Sequence, residues 1–430
     1  MGERLLAIWE KLRANFWFVP SLMAIATVSF SFVVIRVDAS VPGGELMGWL
    51  WSGGADGARS LLSTIASSMI TVAGTVFSIT IAALTLAGSQ FGWRLLRNFT
   101  KDLGNQIVLG TFVSTFLYCL LILRTVRSEH EGGFVPHVAV TCAVAFAVAS
   151  VGVLIYFINH MARAIQAESL IAAIGEDLKE TIRVLRSASA EKPFVKLFRA
   201  DDPAFSIRAD ESGYLEHLNR DQLVAFAERK SLLIESCFRP GDFVMRGSEI
   251  LKIRGAESLD RREQKNLRQA IMLDGQRTPT HDVRFGFRQL TEVAARALSP
   301  GINDPHTAMT CADWLSDCLA ELASRPNPPS CRSGPSGEPR LLEPTVSFQE
   351  VSALSFDPFR LYGAKSAIVM IHLLNVLERL GRFVREESYR ADLLQHAEEA
   401  AQEALKACKG QSDCARLEAA AMRARSALAR

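Results

Sequence analysis

The chain has 430 residues, a formal net charge of +2 and 22% charged residues. A charge so near neutrality excludes the strongly basic surface of a nucleic-acid-binding protein, and the length is sufficient for more than one domain. Charge is unevenly spread, because residues 16–160 hold 13 charged side chains in 145 positions and residues 161–430 hold 76 in 270. We therefore predict a membrane domain followed by a water-exposed body.

Four apolar runs in the first third of the chain have the length of membrane spans. A spanning helix needs roughly 17–25 mainly apolar residues. The runs are Phe16–Val37, Leu61–Ser89, Ile107–Leu123 and Val138–Ile158. The sequence therefore predicts an α-helical domain of four transmembrane helices in the lipid bilayer, over residues 1–160.

The flanks of these runs predict their orientation, because short cytoplasmic segments are enriched in Lys and Arg. Such residues occur before the first run and between the second and third: Arg4, Lys11, Arg13, Arg94, Arg97 and Lys101. The other two connections carry fewer basic residues, and Glu129 and Glu131 dilute the second of them. We therefore predict that the N- and C-termini are both cytoplasmic.

The second run is rich in small and hydroxylated residues. They recur about every 3.7 positions, close to the period of a helix, at Ser63, Ser67, Thr71, Gly74, Ser78, Ala82, Thr85 and Ser89. Small residues allow helices to pack closely, whereas hydroxyls along one face can also line a water-filled path. Both interpretations remain open, and they coincide if the helices meet around an oligomer axis.

Charge inside the spans is sparse. Arg36 lies at the outer end of the first run, where its side chain can reach water, and no charged residue occurs from Leu61 to Trp93. Buried ionisable residues are typical of proton relays and voltage sensors. Proton-driven transport by buried carboxylates is therefore disfavoured.

The remainder of the chain is predicted to be an α+β cytoplasmic domain. Residues 161–204 read as a helix that continues from the fourth span, and residues 205–255 alternate as short strands typical of a small β-barrel or β-sandwich around the helix "RDQLVAFAERK". Residues 256–323 are expected to be a helical subdomain, residues 324–340 a flexible Pro/Ser/Gly-rich loop, and residues 341–430 a strand followed by C-terminal helices.

The stretch "LSPGINDPHTA" is predicted to be a corner between two helices. Ser299-Pro300-Gly301 ends the first helix, since proline restricts the residue before it and glycine tolerates left-handed geometry. Asp304 is suited to cap the second helix, with Pro305 at its first position, where the missing N–H is not needed.

Polar residues around this corner form a candidate site. The predicted cytoplasmic polar cluster comprises Arg277, Thr278, Asp282, Ser299, Asn303 and Asp304. A buried hydrogen-bonded network is the favoured interpretation, and a small-ligand or ion site is the alternative. The dipeptide His281-Asp282 lacks the further ligands that a catalytic metal shell requires, and no paired C-x-x-C occurs. We therefore predict no metal and no cofactor. For Cys408 and Cys414, two free thiols are the favoured interpretation, and a disulfide or a metal-binding pair is the alternative.

Several motifs occur together in a recognisable order. They are the hydroxyl-rich run, "GSQF", "SGYLEHLN", "PGDFV", "RTPTHDVRFGFRQLTEVAARA" and "LSPGINDPHTA". In this combination the chain resembles the bacterial predicted-membrane-protein family called domain of unknown function 2254. The resemblance implies four N-terminal spans and a large cytoplasmic domain in the bacterial inner (cytoplasmic) membrane, and it implies no established activity.

The functional prediction is a homo-oligomer with a channel-like or permeation role for ions or small solutes, with the second span nearest the path. The seam residues Ser63, Ser67, Thr71, Gly74, Ser78 and Thr85 would line the pore or pack around it. The alternative is a membrane-anchored cytoplasmic sensor or scaffold without transport. No phosphate-binding glycine loop or nucleophile elbow is visible in the sequence, so an enzyme is not predicted.

Overall fold

The computed structural model describes residues 17–40, 53–91, 102–127, 134–164, 166–185, 204–277, 282–327 and 330–429. The chain divides into two compact units, Met1–Ser169 and Leu170–Arg430. The basic residues that predict the orientation before the first span and after the second, and Thr278 of the polar cluster, lie outside the described residues.

The first unit contains four long apolar helices. They are α1 (Phe18–Ser40), α2 (Ala55–Phe91), α3 (Leu103–Leu123) and α4 (His137–Ala164). Each is long and apolar enough to cross a membrane, which confirms the prediction of four candidate spans. Helix α3 packs against the other three helices. In its most apolar 18-residue stretch 56% of the residues are buried, whereas in the other helices the corresponding share is 17–22%. It is therefore the centre of this unit.

Two aspartates fix the ends of α4. Asp38, near the end of α1, accepts hydrogen bonds at 2.9 Å from the backbone N–H groups of Val138 and Ala139. A carboxylate at a helix N-terminus satisfies donors that have no partner within the helix. Asp102 caps α3 through the N–H of Gly104 and lies 2.5 Å from Nε2 of His160, near the other end of α4. The predicted apolar run Phe16–Val37 stops one residue short of Asp38, so the sequence pattern does not indicate that Asp38 caps α4.

The second unit is mostly helical, with two small sheets. Its helices are α5 (Ala167–Leu185), α6 (Arg220–Lys230), α7 (Arg261–Gln269), α8 (Val283–Ala297), α9 (Pro305–Ala323), α10 (Phe348–Gly363), α11 (Ala367–Gly381), α12 (Glu387–Ala407) and α13 (Gln411–Leu428). Helix α4 ends at Ala164 and α5 begins at Ala167, so the fourth span does not continue as one regular helix through residues 161–204.

The strands form two separate sheets. They are β1 (Ala204–Arg208), β2 (Gly213–Leu218), β3 (Leu233–Ser236), β4 (Phe243–Val244), β5 (Glu249–Arg254), β6 (Ile271–Asp274), β7 (Cys331–Ser333) and β8 (Pro339–Leu342). One sheet has the order β1-β5-β3-β8-β7 and the other β4-β2-β6. All pairs are antiparallel except β3 with β8. The structure does not show the predicted barrel within residues 205–255.

Three local predictions in this unit are wrong. Part of the predicted loop 324–340 forms β7 and the start of β8, because Leu341 is fully buried in the sheet core and Arg340 pairs with Glu228 at 2.6 Å. Residues 271–274, expected to be helical, pair with β2. The stretch "RLLEPTVSFQEVSALSFDP" has the pattern of one or two strands, but its residues from Phe348 onward begin α10 after the N-cap Ser347.

The predicted corner is present. Asp304 accepts a hydrogen bond from the N–H of Thr307 at 3.1 Å, and Pro305 begins α9. The left-handed residue is Asn303, with φ of 50°, rather than Gly301. Asparagine is one of the few residues other than glycine that adopts this conformation readily.

The last helix packs on its neighbours, and the favoured interpretation of Cys408 and Cys414 is wrong. Helix α13 buries Leu417, Ala420 and Ala424 and packs against α11 and α12. Cys408 and Cys414 form a disulfide across the turn between α12 and α13, so they are not free thiols in the structure.

Candidate functional site

The small and hydroxylated residues of α2 point away from the rest of the first unit. All six predicted positions are exposed: Ser63, Ser67, Thr71, Gly74, Ser78 and Thr85. We call this surface the hydroxyl face. The opposite side of α2 is buried in the core of the unit through Leu62, Ile65, Ala66, Met69, Ala73 and Val76. The buried side of α2 therefore packs into the core of the first unit. The hydroxyl face takes no part in that packing.

Three hydroxyls of this face are satisfied within their own helix. Thr71 donates to the carbonyl of Ser67 at 2.8 Å, Ser78 to that of Gly74 at 2.9 Å, and Thr85 to that of Ile81 at 2.9 Å. Such bonds to the preceding turn leave each hydroxyl oxygen able to accept a further hydrogen bond. The face therefore tolerates an apolar neighbour and also offers acceptors to water or a solute.

Gly74 is the one position of the hydroxyl face that has no side chain. A Cβ atom placed on Gly74 would have no heavy atom within 4 Å among the described residues. Packing within the first unit therefore does not require a glycine at this position.

Three arginines surround an open cavity beside one end of the hydroxyl face. The cavity has a volume of about 710 Å³ and is lined by Arg59, Ser63, Leu123, Arg124, Val126 and Arg127. Arg59 donates to the carbonyl of Val126 at 3.1 Å, which ties the start of α2 to the segment after α3. Ser63 belongs to both the hydroxyl face and the cavity. A solute that moves along the face would therefore meet these guanidinium groups at this end.

The predicted cytoplasmic polar cluster is divided in the structure. Arg277 lies 2.6 Å from Asp282, just before α8. Ser299, Asn303 and Asp304 follow the end of α8, and its 15 residues correspond to a rise of about 22 Å. The five described residues therefore do not form one site, and Asp304 serves as a helix cap.

Asp282 instead belongs to a network of hydrogen bonds and ion pairs between arginine and carboxylate side chains. Arg284 donates to Asp242 at 2.7 Å, to the carbonyl of Pro240 at 3.1 Å and to Glu350 at 3.3 Å. Arg239 also donates to Glu350, at 2.7 Å. We call Arg239, Asp242, Arg277, Asp282, Arg284 and Glu350 the arginine–carboxylate network. Its members come from the β3–β4 turn, from residues 277–284 before and within the start of α8, and from α10. The motifs "PGDFV" and "RTPTHDVRFGFRQLTEVAARA" hold four of them, but no single motif contains all six.

The side chains at the centre of this network are buried. The side chains of Asp282 and Arg284 are only 2% and 4% exposed, and opposite charges interact more strongly away from water. Burial opposes ionisation of Asp242, but hydrogen bonds from the backbone N–H of Arg239 and from Arg284 outweigh it and lower the pKa of Asp242. The network therefore joins the β3–β4 turn to the helices as a set of paired charges.

Four apolar helices followed by a mostly helical unit with two small sheets define a multi-span membrane protein with a large second domain. The chain belongs to the family described as predicted membrane protein DUF2254, whose model matches residues 13–379.

The relatives carry no assigned activity. An uncharacterized protein of Mycobacterium tuberculosis strain CDC 1551 / Oshkosh is 32% identical over 91% of this chain and 76% of its own length. Uncharacterized proteins of Mycobacterium bovis and of M. tuberculosis strain H37Rv show the same identity and coverage. No solved structure matches the chain. Function is therefore argued from this chain's own geometry.

Proposed function

We propose that the protein is a homo-oligomeric, channel-like protein of the bacterial inner membrane that lets ions or small solutes pass along the hydroxyl face of α2. The observation that supports this proposal is the exposure of all six hydroxyl-face positions on the side of α2 opposite its buried residues. The proposal assigns the protein no catalytic activity.

Helix α2 also exposes large apolar side chains, among them Ile70, Ile79 and Ile81 at 45% each, whereas the outer helices α1 and α4 expose some of theirs more fully. Helix α1 exposes Ile25 and Phe32, and α4 exposes Val148 and Ile155, each by 61–68%. Large apolar side chains are suited to lipid tails, whereas Ser, Thr and Gly are enriched where transmembrane helices meet other helices. We infer that α1 and α4 face lipid and that the hydroxyl face meets other copies of α2.

An arrangement of copies around an axis accounts for both properties of the face. Closed rotational symmetry places the same surface of every subunit at the axis. Exposed hydroxyl oxygens there can replace part of the hydration shell of a solute. Helix α2 has 37 residues, a length of about 55 Å, and so exceeds the roughly 30 Å hydrocarbon core. It can therefore line a path across the whole membrane.

The arginine-lined cavity bears on which solutes would enter. Rings of Arg or Lys select anions in pores, and a symmetric assembly would repeat Arg59, Arg124 and Arg127 in every subunit. With both termini in the cytoplasm, this end of α2 would lie on the outer side of the membrane. We therefore expect anions to be favoured at the outer entrance.

A membrane-anchored sensor or scaffold is the second candidate. The observation that favours it is the bonding of Thr71, Ser78 and Thr85 to their own helix. Hydroxyls satisfied in this way can lie in a dry interface, in which case the four helices only hold the second unit at the membrane.

Cysteine accessibility separates the two candidates. In a cysteine-free background, Thr71→Cys should react with a charged, membrane-impermeant thiol reagent in liposomes if the hydroxyl face lines water. Val148→Cys is the matched control, since Val148 is 68% exposed on α4 and is expected to face lipid. Reaction of Thr71→Cys but not of Val148→Cys supports a path, whereas a Thr71→Cys that is as unreactive as the control overturns it in favour of the anchor.

A further inference from the structure

A group of metal-ligating side chains lies in the second unit, away from the arginine–carboxylate network. Asp357 belongs to α10, and His396 and Glu399 belong to α12. One ligand atom from each lies within 4.8 Å of the other two. His396 and Glu399 are three positions apart and so share one face of their helix. No motif predicts the group, because Asp357 and His396 are 39 positions apart in the chain.

The imidazole of His396 lies between two carboxylates. Its Nδ1 is 3.8 Å from Oδ1 of Asp357, and its Nε2 is 3.9 Å from Oδ2 of Asp392. Both distances exceed the length of a hydrogen bond. The ring is packed edge-on against Phe356 at 5.8 Å, and Ser352 donates a hydrogen bond to Asp392. The imidazole is therefore held in place by packing, with its Nδ1 toward Asp357 and its Nε2 toward Asp392.

We propose that Asp357, His396 and Glu399 form a binding site for a divalent first-row transition ion such as Zn²⁺ or Mn²⁺. Nitrogen and oxygen ligands lie about 2.0–2.2 Å from such ions, so ligand atoms on one ion are roughly 3–4 Å apart. The group needs only small side-chain movements to reach this spacing. An imidazole combined with carboxylates suits these ions, whereas Mg²⁺ and Ca²⁺ prefer oxygen ligands alone.

Asp392 occupies the position of an outer-shell partner. A metal-binding histidine commonly donates its second ring N–H to a carboxylate, which fixes the tautomer and raises the basicity of the ligating nitrogen. Asp392 faces Nε2 of His396, on the side of the ring away from Asp357. The four residues thus follow the carboxylate–histidine–metal order.

Arg360 is the cation that competes for this site. Its guanidinium lies 3.6 Å from both Asp357 and Glu399, and its Nε is buried without a hydrogen bond. Neither carboxylate therefore holds Arg360 at hydrogen-bond distance. Asp357 and Glu399 are each 38% exposed, so an ion can reach them from solvent and displace the guanidinium.

The test is metal binding by the full-length protein in detergent micelles after treatment with a chelator. We expect calorimetry to show one Zn²⁺ or Mn²⁺ per chain, with Mg²⁺ giving no signal. His396→Ala and Glu399→Gln should abolish this binding, and Asp392→Asn should weaken it about 10–100-fold. Arg360→Met should strengthen it, because the competing cation is removed. Circular dichroism melts confirm that each variant remains folded.

The matched control is His372→Asn. His372 also pairs with an aspartate, Asp313, at 3.1 Å, but it does not belong to the three-ligand group. We expect this variant to bind the ion as the unmodified protein does. Absence of binding to the unmodified protein, equal loss in His372→Asn, or weaker binding in Arg360→Met would each overturn the proposal.

Discussion

Gly241 and Asp282 are in direct contact in the second unit. A Cβ atom added at Gly241 would lie 2.5 Å from Cγ of Asp282 and closer still to its Oδ2. Gly241 also has φ of +86°, a conformation that residues with a Cβ adopt only with strain. The turn after β3 can therefore approach the buried carboxylate only because residue 241 is glycine.

This contact predicts an unusually large effect of Gly241→Ala. The left-handed backbone alone costs about 1–2 kcal/mol for a residue with a Cβ, and the overlap with Asp282 adds to that cost. Gly247→Ala is the matched control, because Gly247 has the same φ of +86° but no heavy atom within 4 Å of its Cβ position. Thermal unfolding should show a clearly larger loss for Gly241→Ala. Equal losses would show that the contact with Asp282 is unimportant.

The arginine–carboxylate network predicts an acid-sensitive second unit. The pKa of Asp242 is lower in the folded protein than its ordinary value of 3.8. A carboxyl of this kind contributes stability above its unfolded pKa, and that stability is lost as the pH falls through the folded pKa. We expect urea unfolding to show declining stability below about pH 3.8. Asp242→Asn should be less stable at pH 7 and show a shallower decline, and an unchanged slope would contradict this role.

The helix corner predicts a moderate effect of Asp304→Ala. Loss of the side chain removes the hydrogen bond from the N–H of Thr307, which should lower the free energy of unfolding by about 1 kcal/mol. Asp304→Ser retains an N-cap acceptor and should restore most of that stability. If both variants are equally destabilised in a thermal melt, the cap does not explain the role of Asp304.

The link between α1 and α4 predicts that Asp38 stabilises the first unit. Asp38→Ala leaves the N–H groups of Val138 and Ala139 without their carboxylate, which should cost about 1–2 kcal/mol. A lower melting temperature in detergent is expected. The control is Ser40→Ala: among the described residues, the Ser40 hydroxyl bonds to the carbonyl of Arg36 in its own helix. A Ser40→Ala loss as large as that of Asp38→Ala would contradict the capping role.

Sequence periodicity and composition were sufficient where structure depends on neighbouring residues. The apolar runs predicted the four helices, and Asp304-Pro305 predicted the start of α9. The period of the hydroxyl residues placed them on one face of α2, and the structure shows that this face is exposed.

Contacts between segments that are distant in the chain leave no local pattern in the sequence. Strand β8 pairs in parallel with β3, about 100 positions earlier, so the composition of residues 324–340 suggested only a loop. The predicted polar cluster failed because α8 separates its two halves. The partners of Arg284, Asp242 and Glu350, lie 42 and 66 positions away. No local pattern therefore indicates that Arg284 joins these segments.

The central claim, that the hydroxyl face of α2 lines a path between subunits, is tested most directly by solute flux in liposomes. Gly74→Leu adds bulk where the subunit itself has space, since no heavy atom lies within 4 Å of the added Cβ. Gly152→Leu on α4 is the matched control, because its Cβ position is equally open but is expected to face lipid. Thr71→Val removes a hydroxyl of the face while keeping its shape.

We predict that the unmodified protein and Gly152→Leu conduct ions under an applied voltage, that Thr71→Val changes the flux without changing subunit assembly, and that Gly74→Leu blocks the flux or breaks the oligomer. Absence of flux from the unmodified protein under voltage, tension and pH steps would contradict the account. So would conduction by Gly74→Leu equal to that of Gly152→Leu.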